Sequence, residues 1–112
     1  MEINIQKSSD VVLCAIIGEI NINNSPDLRK AFDKFISENE KKVVVDFSEV
    51  PYVDSSGLAT LIEMFQRLKK IDGHLKLSHL DQKVKNIFEI TKLNKLFEIY
   101  DLKEKAIEDF ND

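Results

Sequence analysis

Apolar positions along the chain switch between two periods. Ile3 and Ile5 alternate with polar neighbours, as a half-buried edge strand does, and Lys7 to Asp10 reads as a turn. Val11 to Ile17 is an unbroken apolar run closed by Gly18, which predicts a strand buried on both faces. The short link makes these two strands an antiparallel hairpin. The period then changes. Ser25-Pro26 opens a helix, with Ser as cap and Pro at the first helical position. Leu28, Ala31, Phe32, Phe35 and Ile36 form its apolar stripe, and Asn39 is its stop signal. Val43 to Phe47 is a second buried strand, ended before Pro51 because proline cannot donate to a ladder. A second helix follows Tyr52-Val53-Asp54-Ser55-Ser56-Gly57, with the stripe Leu58, Leu61, Ile62, Phe65 and Leu68, and stops at Asp72-Gly73. This leaves Met64 off the stripe and partly exposed.

The remaining segments repeat the alternation. Leu75 and Leu77 interleave with Lys76 and Ser78 as a strand. Asp81 caps a helix that turns Val84, Ile87 and Phe88 inward. Leu96 to Ile99 is a short last strand, and Asp101 caps a final helix with Leu102, Ala106, Ile107 and Phe110. The order β-β-α-β-α-β-α-β-α predicts an α/β fold with a mixed, mostly parallel sheet flanked by helices, in one domain spanning residues 1–112.

Composition narrows the functional classes. Apolar residues are 43% and charged residues 32% of the chain, the mix of a soluble globular domain. A net charge of −4 with Lys and Glu well mixed argues against direct nucleic-acid binding and against a polybasic membrane patch. The single Cys14 excludes an internal disulfide and any zinc spacing, and suits a small core residue in a reducing compartment. The first residues carry no signal pattern, and the longest apolar run is too short for a bilayer. The expectation is a cytoplasmic protein without metal or cofactor.

The segment with chemical promise is Asp54-Ser55-Ser56-Gly57-Leu58, between a buried strand and an amphipathic helix. In a parallel α/β sheet, partners meet the loops at the strand C-terminal ends. A helix N-terminus there presents unpaired N–H groups and partial positive charge, which stabilise a phosphate on a nearby hydroxyl. Gly57 leaves the first turn bare for a close approach. The plainer reading is that Asp54 or Ser55 is only an N-cap, which is far commoner than a phosphosite.

Tyr52-Val53-Asp54-Ser55-Ser56-Gly57-Leu58 resembles the phosphorylation-site signature of STAS-domain anti-sigma factor antagonists. Gly18-Glu19-Ile20 resembles that family's Gly-Glu-hydrophobic-Asp motif, and Ser25-Pro26-Asp27-Leu28-Arg29 its first helix start. Gly73-His74-Leu75-Lys76-Leu77 is similar to its fourth strand, and Val84 to Leu93 to its third helix and following turn. The resemblance implies a partner switch. The unphosphorylated protein binds an anti-sigma factor that is itself an ATP-dependent serine kinase of the GHKL type, and a sigma factor is released. Phosphorylation of Ser55 breaks the complex, and a metal-dependent PPM-type serine phosphatase resets it. ATP, metal and catalysis then belong to the partners. The resemblance also implies a partner-binding face of Glu19, Asn21, Asn23, Ser25, Asp54, Ser55, Ser56, Gly57 and Leu58. Asn21 departs from the pattern, standing where the family commonly has Asp.

Other readings compete. Glu19, Asn21, Asn23 and Asn24 are also ordinary turn chemistry, and Ser56 is a first-turn hydroxyl that could be a secondary acceptor. A serine hydrolase lacks a G-x-S-x-G elbow and a placed base, since His74 and His79 carry no ligand or base spacing. A receiver domain phosphorylated on Asp54 lacks the acidic pair after the first strand. A third reading keeps the STAS fold and makes the chain a scaffold of a sensing assembly or a subunit of a lipid-transport complex.

Overall fold

A seven-residue apolar run rich in Val and Ile, Val11–Ile17, and an eight-residue segment carrying Val43, Val44, Val45 and Phe47 make two adjacent interior strands of the sheet. In a computed structural model, which describes residues 1–111, the elements follow in the order β1 (Glu2–Ser8), β2 (Val11–Ile17), α1 (Ser25–Ser37), β3 (Lys42–Glu49), α2 (Ser55–Lys70), β4 (His74–Ser78), α3 (Gln82–Ile90), a 3-10 turn (Leu93–Lys95), β5 (Glu98–Tyr100) and α4 (Lys103–Phe110). The five strands lie side by side in sequence order. β1 pairs antiparallel with β2, and β2 to β5 pair in parallel. This is the expected mixed, mostly parallel α/β sheet.

Strand alternation divides the core between the two sheet faces. Val12, Cys14 and Ile16 of β2, Val43, Val45 and Phe47 of β3, and Leu75 and Leu77 of β4 pack in one cluster with Leu28, Phe32 and Phe35 of α1, Leu61, Met64 and Leu68 of α2, and Val84 and Phe88 of α3. A chain of edge-to-face aromatic contacts, Phe47–Phe88–Phe97–Phe65, ties α3 and the turn before β5 to α2. On the opposite face, α4 seals Val11, Leu13 and Val44 with Ala106, Ile107 and Phe110. Burial pushes the Cys14 thiol up to about 12, so this cysteine stays a protonated core group.

α4 is held by a cation as well as by apolar contacts. Lys76 points from β4 toward α4 and is buried. Its Nζ donates to Asp109 Oδ2 at 2.8 Å and to the Tyr100 hydroxyl at 3.2 Å, and lies 4.3 Å from the Phe110 ring centroid. The Tyr100 hydroxyl also donates to Asp109. Burial alone would lower the Lys76 pKa, but the hydrogen bonds it donates to Asp109 and Tyr100 outweigh burial and leave it raised. The same ammonium holds the Asp109 carboxyl below its ordinary 3.8.

Several boundaries differ from the sequence expectation. β1 runs through Ser8, so the turn is only Ser9 and Asp10, with Ser9 at positive φ. Asn24, not Ser25, occupies the cap position of α1, and Ser25 is its first helical residue. Met64 is 1% exposed, because α2 packs against α1 as well as against the sheet and needs a wider apolar surface. Asp72 takes the left-handed conformation after α2. Gly73 is required for space: a Cβ there would sit 2.8 Å from the Lys41 carbonyl oxygen. The last strand is displaced from Leu96–Ile99 to Glu98–Tyr100, because Phe97 closes the 3-10 turn through its N–H to the Leu93 carbonyl and plugs the aromatic chain. Asp101 does not cap α4, whose cap position is Leu102; it pairs instead with Lys85.

Candidate functional site

The C-terminal ends of β2 and β3 run on into two loops that pair as a short parallel bridge, Ile20 with Val53. The Ile20 N–H donates to the Tyr52 carbonyl, and the Asp54 N–H to the Ile20 carbonyl, both at 3.0 Å. Ile20 and Val53 are buried, so alternation turns Tyr52 and Asp54 outward. Gly57 lies over this bridge. A Cβ at Gly57 would stand 2.7 Å from Val53 Cγ1 and 2.8 Å from Ile20 Cγ2. The bareness expected to admit a partner therefore faces inward, where it lets the first turn of α2 close on the bridge.

Asp54 joins the two loops through both carboxylate oxygens. Oδ1 accepts from the Gly57 N–H at 3.0 Å, which caps α2. Oδ2 accepts from the Ile22 N–H at 2.9 Å, across 32 residues of sequence. The N-cap reading of Asp54 thus holds, and the same side chain fixes the Gly18–Asn24 loop against the start of α2.

That loop is wound around Asn21. Its Oδ1 accepts from the Asn23 N–H at 2.9 Å and the Asn24 N–H at 3.2 Å, while its own N–H donates to Asn24 Oδ1 at 2.8 Å. Asn21 Nδ2 donates to Glu19 Oε1 at 2.8 Å. An aspartate could accept the same two backbone bonds but could not donate to Glu19. The residue that departs from the family pattern is therefore the one that clasps Glu19.

Ser55 is exposed at the first position of α2, and Ser56 is half-buried beside it, its carbonyl accepting from Thr60 Oγ1. The N–H groups of these two serines precede the first possible intrahelical acceptor, so they leave positive partial charge around the Ser55 hydroxyl. Glu19 and Asn23 are exposed and Asn21 half-buried on the adjoining loop. Ser25, Gly57 and Leu58 are buried and shape this face from beneath. The structure also exposes Ile22 and Tyr52, 68% and 48%, close to Ser55 along the backbone ties: Ile22 donates to Asp54, and Tyr52 lies three residues before Ser55. Sequence reasoning passed over both, although an isoleucine among three asparagines was the available signal for Ile22. An open cleft of about 600 Å³ between β5 and α4 is lined by other residues, among them Tyr100, Leu102, Lys105 and Asp109.

The STAS domain model matches residues 2–106, nearly the whole chain. This chain belongs to the STAS domain family. Its relatives include the anti-sigma-B factor antagonist of Bacillus subtilis, 27% identical over 88% of this chain and 90% of that protein. The fold of this STAS domain also matches an anti-sigma factor antagonist from Mycobacterium paratuberculosis with a TM-score of 0.90 at 22% identity, over 99% of this chain and 94% of the other. It matches the Bacillus anti-sigma factor antagonist SpoIIAA in both its unphosphorylated and phosphorylated forms, with TM-scores of 0.78 and 0.77 at 16% identity. The first of those matches covers 98% of each chain, and the second 97% of this chain and 99% of the other. The relatives bear the names of regulatory proteins, and among the described residues no helix of this STAS domain is long and apolar enough to cross a membrane.

Proposed function

We propose that this STAS domain is an anti-sigma factor antagonist controlled by phosphorylation of Ser55. Unphosphorylated, it binds an anti-sigma factor that is a GHKL-type serine kinase, and the sigma factor is released. Transfer of the ATP γ-phosphoryl group to the Ser55 hydroxyl dissociates the complex, and a PPM-type phosphatase restores the hydroxyl. The observation that carries this reading is the exposed Ser55 hydroxyl at the first turn of α2, braced by an aspartate that ties two loops into one surface. The names of the relatives and the existence of a phosphorylated form of a fold neighbour support it. Glu19, Asn21, Asn23 and Ser56 are the other contact residues; Ser25, Asp54, Gly57 and Leu58 hold the surface in shape.

The chemistry of the switch follows from position. Phosphoserine carries about −1.5 to −2 charge at pH 7. The N-terminus of α2 stabilises that charge locally, while a partner packed against Ser55 must desolvate it. The fold therefore persists and the affinity changes. The test compares unphosphorylated and Ser55-phosphorylated protein by calorimetry against purified GHKL kinases of the same genome, with circular dichroism as the fold readout. Loss of binding by about 30-fold or more with identical dichroism supports the reading. Equal binding by both forms refutes it.

A further inference from the structure

The Ser55 face has a charge distribution unlike the rest of the molecule. Residues 18–28 and 47–62, which build it, contain no Lys or Arg, although the chain has 16 such residues. They contain four carboxylates: Glu19, Asp27 and Glu49 are exposed, and Asp54 is half-buried. The same two segments, bordered by the Arg29–Glu63 ion pair, expose two large apolar side chains, Ile22 and Tyr52. Neither is stray surface. Ile22 is anchored by its N–H to Asp54 Oδ2, and Tyr52 by its carbonyl to the Ile20 N–H. Their backbone positions are therefore fixed by the bonds around Asp54, and only side-chain freedom is lost when they are buried.

We propose that Ile22 and Tyr52 are the apolar anchors of this face, and that the partner they fit is a protein surface with apolar pockets beside the Ser55 contact and a cationic rim. This rests on the phosphoswitch reading and identifies what the partner grips. Interface energy concentrates in rigid apolar anchors near the centre, ringed by polar contacts that exclude water. With Ile22 tied to Asp54 and Tyr52 three residues before Ser55, burial of both anchors dries the contact around Ser55. A phosphate there cannot reach the cationic rim and cannot keep its hydration, which explains why an acidic face with a basic partner is switched off by added negative charge. The acidic rim sets the approach, so association slows as salt is added.

The test measures Kd for each purified, ADP-loaded GHKL-type serine kinase of the same genome against wild type, Ile22→Ala, Tyr52→Ala, Tyr52→Phe and Ile90→Ala. Ile90 is 82% exposed on α3 and serves as the control. Thermal melting of each variant verifies the fold. The expected result is a loss of roughly 10- to 100-fold for Ile22→Ala and Tyr52→Ala. Tyr52→Phe and Ile90→Ala stay within about twofold of wild type. Tight binding by wild type with both alanine variants within about twofold overturns the anchors and leaves the phosphoswitch standing. Wild type that binds none of the kinases overturns the phosphoswitch, and the anchors with it. Concentration-dependent self-association lost in Ile22→Ala, without kinase binding, makes a second copy the occupant and overturns the proposal.

Discussion

Replacing Gly57 with alanine tests whether the site is built from the inside. An added Cβ meets Val53 Cγ1 at 2.7 Å and Ile20 Cγ2 at 2.8 Å, and Ile20 Cβ at 3.2 Å. Both neighbours are buried, and their backbones are locked together by the Ile20–Val53 bridge. Relief requires moving the first turn of α2 away from the bridge. Overpacking of this kind costs roughly 1–3 kcal/mol. Alanine returns up to about 1 kcal/mol in helix propensity, less in a first turn than in a helix interior. The net loss is about 1–2 kcal/mol. At roughly 4–8 °C per kcal/mol for a domain near this size, Tm falls by about 5–15 °C. Urea unfolding should show the same loss with an unchanged m value. The displaced helix also stretches the Asp54 bonds, so the Ile22 amide exchanges its proton faster than in wild type. A variant as stable as wild type, with an unchanged Ile22 exchange rate, would refute the inward packing of Gly57.

Asp54→Ala removes the α2 cap and the tie to Ile22 together, and equilibrium unfolding should show a loss of about 1–2 kcal/mol. Asp54→Asn keeps one accepting oxygen and should lose distinctly less; equal losses would show that only one of the two bonds matters. Asn21→Ala frees the Asn23 amide, whose hydrogen exchange should quicken by about five- to tenfold, the worth of one net hydrogen bond, while the Asn24 amide keeps its backbone bond to the carbonyl of residue 21; Asn21→Asp should leave Asn23 protected. Asp109→Asn weakens the α4 clasp. Because Lys76 holds the Asp109 pKa below 3.8, its contribution is present above that value and disappears as pH falls through the lowered one. The gap in Tm between wild type and Asp109→Asn should therefore be largest near neutral pH and close in acid.

Local signals made the order of elements readable. Gly18, Pro51 and the caps at Asp54 and Asp81 punctuate runs whose period is unmistakable, and the structure keeps each of them in that role or beside it. What escaped the sequence depends on distant partners. Lys76 alternates with Leu75 and Leu77 as a solvent-facing residue would, and is buried only because Asp109 and Tyr100 come to meet it from 33 and 24 residues away. Met64 is buried because α1 lies against α2. The site shows the same division. Asp54 as a cap and Ser55 as an accessible hydroxyl follow from the string itself. The inward direction of Gly57, the Asp54–Ile22 bond and the grip of Asn21 on Glu19 arise only when the bridge brings two loops together. Those contacts separate residues that merely build the face from residues a partner can touch.

The central claim is that Ser55 accepts phosphate, and it is tested most directly by mapping that phosphate. Purified protein and its Ser55→Ala variant are incubated with Mg-ATP and lysate of the source organism, then fragmented in a mass spectrometer. The account predicts a single phosphate on Ser55 of the native protein and none on the variant. No phosphate under any growth condition, or a phosphate retained by the variant, would contradict it and leave Ser55 as the first residue of a helix capped by Asp54.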